Sequence, residues 1–115
     1  MNTEGVAMGS EKNFEMQIKR FLEDQEVYWV KYFANAYTKA GIPDLLCCVN
    51  GHFVAVEVKA QTGKASPLQI YNCNKIRQTK GIAVVLYPSG FEQFKELIHR
   101  LKRDDSVGDI PLIMK

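Results

Sequence analysis

Residues 42–59 read Ile42-Pro43-Asp44-Leu45-Leu46-Cys47-Cys48-Val49-Asn50-Gly51-His52-Phe53-Val54-Ala55-Val56-Glu57-Val58-Lys59, two apolar runs on either side of an Asn-Gly dipeptide. Asn-Gly supplies the two consecutive positive-φ residues that a tight hairpin turn requires, so Ile42–Val49 and Phe53–Lys59 are expected to pair as antiparallel strands. A two-residue loop sets Val49 opposite His52 and makes every opposed pair sum to 101, which puts Asp44 opposite Glu57. Counted outward from the turn, that pair falls at a non-hydrogen-bonded position, where facing Cβ atoms lie roughly 4.5–5.5 Å apart. Strand alternation adds Lys59 on the same face, two residues along from Glu57. Two carboxylates and an ammonium therefore converge at the end of the hairpin far from its turn.

Elements on either side complete an α/β pattern. Phe14, Ile18, Phe21 and Leu22 keep helical spacing and predict a first helix from Asn13 to about Asp24, preceded by a flexible tail over residues 1–12. Val27–Phe33, rich in β-branched and aromatic residues, predicts a strand. Ser66-Pro67-Leu68-Gln69 carries an N-cap serine, a proline at the first helical position and a glutamine three residues after the cap, so a second helix starts there and runs to about Thr79. Gly81–Tyr87 is almost wholly apolar, as in a strand buried on both faces, and Pro88 stops it. Ser89 and Glu92 suggest another capping box, opening a helix with the stripe Phe91, Phe94, Leu97, Ile98 and Leu101. The expected order is α-β-β-β-α-β-α, a mixed central sheet with flanking helices over residues 13–103, and a C-terminal tail over 104–115.

At 115 residues the chain has room for one core and for a site built directly on it. The absence of a long apolar run predicts a cytoplasmic protein without a membrane span, and the three cysteines read as reduced packing residues. The net charge of +2 conceals an uneven distribution: residues 31–80 hold seven bases but only two acids, Asp44 and Glu57. Such a basic field suits a polyanionic partner such as nucleic acid. Two isolated, opposed carboxylates within it suit a hard divalent cation, and a cation in a basic field points to phosphodiester chemistry.

Ile42-Pro43-Asp44, followed after twelve residues by Glu57-Val58-Lys59, resembles the PD-(D/E)xK nuclease signature. With Gly41 before it, Ser66-Pro67-Leu68-Gln69 and Lys80-Gly81 after it, the string is more specifically similar to a VRR-NUC domain of the compact, stand-alone, phage-like kind, over about residues 14–87. The resemblance implies a restriction-endonuclease-like core and a Mg²⁺- or Mn²⁺-dependent DNA endonuclease. Asp44 and Glu57 would bind the metal beside the backbone carbonyl of Val58, and Lys59 would orient the attacking water and stabilise charge on the phosphate. Glu15 on the first helix would complete the site, and Gln69 would reach water or phosphate in addition to capping its helix. The metal lowers the pKa of bound water, so no histidine base is needed, and His52 and His99 are expected to be spectators.

Lys39, Lys64, Arg77 and Lys80 are the candidate DNA contacts. The implied substrates are branched, flap or four-way-junction DNA; a two-fold symmetric junction cut by a chain with one site calls for a homodimer. The segment Ile110–Met114 and the strand Val27–Phe33 are candidate interface elements. No organic cofactor is expected. A non-catalytic nucleic-acid-binding module on the same fold is the alternative, and a structural subunit of a larger complex is a third reading.

Overall fold

The computed structural model describes residues 3–115, with side chains from Ser10 onward. Its elements are α1 (Thr3–Asp24), β1 (Tyr28–Lys31), β2 (Leu45–Val49), β3 (His52–Val58), α2 (Pro67–Gln78), β4 (Ile82–Leu86), a 3₁₀ turn (Pro88–Gly90), α3 (Phe91–Lys102) and β5 (Ile113–Met114). The five strands form one mixed sheet in the order β1-β2-β3-β4-β5. The β1–β2 and β2–β3 pairs are antiparallel, and β3–β4 and β4–β5 are parallel.

The hairpin forms with the expected register, Val49 opposite His52 and Leu45 opposite Val56. Asn50 and Gly51 both take positive φ, 50° and 83°, which matches their turn to the twist of the strands. Alternation then sorts the side chains between two layers. Leu45, Cys47, Val49, Val54, Val56, Val58, Val84, Leu86 and Met114 face α1 and α3, packing on Phe14, Ile18, Leu22, Phe94, Leu97, Ile98 and Leu101. Ala55, Ala83, Val85 and Tyr87 face α2, where Cys73 is buried and Ile70 and Ile76 pack. Small residues at 55 and 83 let this helix approach the sheet closely, and β4 is covered on both faces as its apolar run requires.

Several expectations are corrected. The helix begins at Thr3 rather than Asn13, so residues 3–12 of the expected tail are helical, while residues 1 and 2 lie outside the described part. Strand β1 stops at Lys31, leaving Phe33 exposed. No Ser89–Glu92 capping box forms: Gln61 bonds both the Ser89 hydroxyl and its N–H at 2.9 Å, Glu92 pairs with Lys95, and α3 starts from Gly90. The C-terminal segment is not a free tail. Ile113 and Met114 add a parallel strand beside β4, burying Met114 and leaving Ile113 partly open. Gly90 makes this possible, because a Cβ there would overlap the Met114 carbonyl.

All three cysteines are free, but only Cys47 and Cys73 are packing residues, their thiols pushed up to about 12 and about 11 mainly by burial. Cys48 is exposed on the α2 side of the sheet, opposite Tyr28 and Phe53, in a part that α2 does not cover. Among the described residues no helix is long and apolar enough to cross a membrane.

Candidate functional site

The convergent residues lie where β2 begins and β3 ends. Asp44 sits immediately before β2, its carbonyl accepting from Tyr32 N–H at 2.8 Å and its Oδ2 from Val58 N–H at 2.9 Å. The register explains the second bond. Extended by one pair, it sets Pro43 opposite Val58 at a hydrogen-bonded position, where two residues ordinarily exchange N–H and C=O. Proline has no N–H to give. The Asp44 side chain takes up the Val58 N–H, and the Val58 carbonyl, which faces the same edge, has no ladder donor opposite it. Gly41 brings the chain into this corner at φ +79°, with no room for a side chain: a Cβ would lie 2.6 Å from Leu68 Cγ and 2.8 Å from Asn72 Nδ2 of α2.

Glu57 is 2% exposed, and with Asn72 one of two buried polar or charged residues among those described. Its Oε2 accepts from Gln69 Nε2 at 3.2 Å and lies 3.7 Å from Lys59 Nζ. Its Oε1 is buried with no hydrogen-bond partner. Burial, and then the adjacent Asp44 carboxylate, push the Glu57 carboxyl from about 4.5 up to about 8; Lys59 opposes the rise, and Glu11 on α1 adds a smaller push. A buried acceptor left without a partner is costly, and so is a pair of opposed carboxylates. A hard cation would relieve both, and carboxylate oxygens are its preferred donors, so Asp44, Glu57 and the Val58 carbonyl fit a Mg²⁺- or Mn²⁺-type ion.

Gln69 joins the site through its cap. The Ser66 N–H donates to Gln69 Oε1 at 2.9 Å while Ser66 Oγ accepts from Gln69 N–H at 3.2 Å. With Oε1 thus engaged, the amide Nε2 is turned toward Glu57, so one side chain serves both the helix and the carboxylate.

Glu15 does not join Asp44 and Glu57. Its Oε1 is 2.7 Å from Lys31 Nζ and its Oε2 is 3.0 Å from Lys19 Nζ. Partial burial raises its carboxyl, but the hydrogen bonds from Lys31 and Lys19 outweigh this and hold it below the ordinary range. Among the described residues no three His, Cys, Asp or Glu side chains come together. Lys31 is what links Glu15 to the site, since its Nζ also stands 3.5 Å from Asp44 Oδ1. This lysine was not singled out from the sequence. A lone ammonium inside an apolar strand was the available signal, but its meaning depends on how β1 pairs, with Lys31 beside Leu45.

The basic candidates separate. Lys64 is exposed in the loop leaving β3, at the site's end of the sheet, and Lys39 lies in the loop that leads to Asp44. Arg77 and Lys80 are at the other end. Glu57 is level with Val85, so Lys80 stands five residues back, roughly 15 Å at the rise of a strand. Arg77 is further committed to the carbonyls of Ala83 and Ile110, at 3.3 and 2.8 Å, as a strut between α2 and the C-terminal segment. His52 is exposed at the turn, and His99 packs edge-on against Phe21, both away from the carboxylates. Comparison of the chain with protein families, characterised proteins and solved structures gave no match.

Proposed function

We propose that this protein is a metal-dependent DNA endonuclease of the VRR-NUC, PD-(D/E)xK type, acting on branched, flap or four-way-junction DNA. The observation that carries this reading is Glu57, a carboxylate buried at the end of a strand with one oxygen unpartnered and Asp44 beside it. Asp44, Glu57 and the Val58 carbonyl hold the ion. When bound, such an ion lowers the pKa of water and polarises the scissile phosphate. Lys59, its side chain 13% exposed and leaning on Glu57, presents an ammonium to the attacking water and to charge growing on the phosphate. Gln69 fixes Glu57 and offers its amide to the same space. Lys64 extends positive charge at this end of the sheet, whereas Lys39 lines a groove with Phe53, Lys75 and Thr79 toward the other end of α2, and Arg77 and Lys80 belong to another surface.

A second copy completes a two-fold symmetric cutter. The uncovered side of β1 to β3, with Tyr28 (72% exposed), Val30 and Phe53, and the edge strand β5, with Ile113 partly open, are the surfaces it would use. Light scattering is expected to give twice the mass of the 13.1 kDa chain, and a monomer with and without junction DNA removes the symmetric cutter.

The deciding experiment offers labelled linear, flap and four-way-junction DNA with Mg²⁺, with Mn²⁺ and with EDTA. Cleavage is expected only with metal, and is expected to vanish in Asp44→Asn, Glu57→Gln and Lys59→Ala while DNA binding persists. Binding without cleavage in the unaltered protein under every condition makes it a non-catalytic nucleic-acid module instead.

A further inference from the structure

Lys31 has no part in the nuclease signature, yet it is the most closely held ammonium at the site. Its side chain is 21% exposed, and its Nζ stands between Glu15 Oε1, at 2.7 Å, and Asp44 Oδ1, at 3.5 Å. The β1–β2 register and the Tyr32 N–H bond to the Asp44 carbonyl fix the strand that carries it. Glu15 is occupied on both oxygens, by Lys31 and by Lys19. Asp44 divides its carboxylate between the Val58 N–H at Oδ2 and Lys31 at Oδ1. Glu57 Oε1 alone is left over.

We propose that the Lys31 ammonium is a permanent cation of this centre, filling the position between Glu15 and Asp44 and limiting the site to one divalent ion on the Glu57 side. The proposal rests on the metal-site reading above and specifies how many ions that site takes. A position between two carboxylates on different elements is one that a bridging divalent cation would otherwise occupy, with oxygen ligands of this kind. An ammonium donates to both and is covalently tethered, so it needs no ion from solution. Charge supports the count. Once a bound ion displaces the Glu57 proton, Lys19, Lys31 and Lys59 balance Glu15, Asp44 and Glu57. One divalent ion adds two positive charges to a matched cluster, enough to draw a phosphodiester, whereas a second would leave four in a small, partly buried volume. Glu15 is then a positioning residue that holds Lys31 from the helix side.

The test is Mn²⁺ binding by titration calorimetry, without DNA, on the folded full chain. The unaltered protein is expected to bind one Mn²⁺, lost in Glu57→Gln. Lys31→Met, which removes the charge and keeps the bulk, is expected to bind two, and Lys31→Arg is expected to bind one. Glu15→Gln is expected still to bind one Mn²⁺, weakened by no more than the roughly 10–100-fold that loss of a partner outside the ligand set costs, whereas Glu57→Gln binds none. Two ions in the unaltered protein, one ion in folded Lys31→Met, or no ion bound by folded Glu15→Gln each overturns the proposal while leaving the metal site standing. Should Lys31→Met fail to fold, the Glu15→Gln titration decides alone. No Mn²⁺ bound by the unaltered protein overturns the metal reading itself, and this inference with it.

Discussion

Neutralising Glu57 should change the pH dependence of stability, and the direction follows from where the carboxylate lies. Burial beside Asp44 raises its pKa from about 4.5 to about 8, so the folded chain keeps a proton there over a range in which the unfolded chain has released it. Stability from this group is fully present below about pH 4.5 and is lost as pH rises through about 8, at up to about 1.4 kcal/mol per unit. Across the window the loss is on the order of a few kcal/mol, a large share of the stability of a domain this size. Glu57→Gln has the same shape and cannot titrate. In EDTA, urea unfolding at pH 5.5, 7 and 8.5 is therefore expected to show the unaltered protein losing ground to Glu57→Gln with each step up in pH. Saturating Mn²⁺ at pH 8.5 should close much of that gap, since an ion at about a hundred times its Kd adds about 2.7 kcal/mol to the protein that binds it and little to Glu57→Gln. Parallel curves for the two proteins in EDTA would refute the reasoning, because Glu57 would then be ionised at neutral pH and stabilised by Lys59 rather than strained by burial.

Other consequences are separable from activity. Gly41→Ala places a Cβ against Leu68 and Asn72 at a positive φ, so urea unfolding should show a loss of about 1–3 kcal/mol; an unchanged midpoint would mean the corner is not built this tightly. Ser66→Ala and Gln69→Ala both lose the cap of α2 and should each cost about 1 kcal/mol, but only Gln69→Ala also removes the donor to Glu57 and should slow DNA cleavage beyond the effect of Ser66→Ala. Arg77→Ala should cost about 1–3 kcal/mol of stability through the Ala83 and Ile110 carbonyls and leave the salt dependence of DNA binding intact, whereas Lys64→Ala should lower that log–log slope by about one; the opposite result would place the DNA on the Arg77 surface.

What could be read from the chain was what local chemistry dictates. Asn50-Gly51 specifies a turn, the turn specifies a register, and the register puts Asp44 level with Glu57 before any tertiary contact is known. Ser66 and Gln69 announce α2 in the same local way. Features set by distant parts of the chain were hidden. Ser89 has the sequence of a cap, but Gln61, 28 residues away, takes its hydroxyl and N–H. Ile113 and Met114 carry no period long enough to mark a strand, and pair with β4 because Gly90 clears the way. Lys31 acquires its place only through the pairing of β1 with β2, across a thirteen-residue connection whose length fixes no register. Glu15 was legible as a helix residue bordering the apolar stripe, but not as the partner of two lysines.

The strand that holds Glu57 would be better served by an apolar residue on folding grounds alone. Its neighbours Val56 and Val58 are fully buried on one face, Ala55 and Val85 on the other, and the strands beside it are satisfied. A carboxylate here disturbs the core twice, by its own desolvation and by its opposition to Asp44. The partners that could offset this do so incompletely: Gln69 offers one neutral donor, Lys59 stands at 3.7 Å, and neither reaches Oε1. Meanwhile Lys31, the other ammonium at this end of the sheet, is turned to Asp44 and Glu15 and makes no ion pair with Glu57. A purely structural ion cluster would close on its most buried member; this one is closed at its rim and open at its centre. That arrangement makes sense where the missing partner is supplied from solution, and it places the strain in the one group that such a partner would contact.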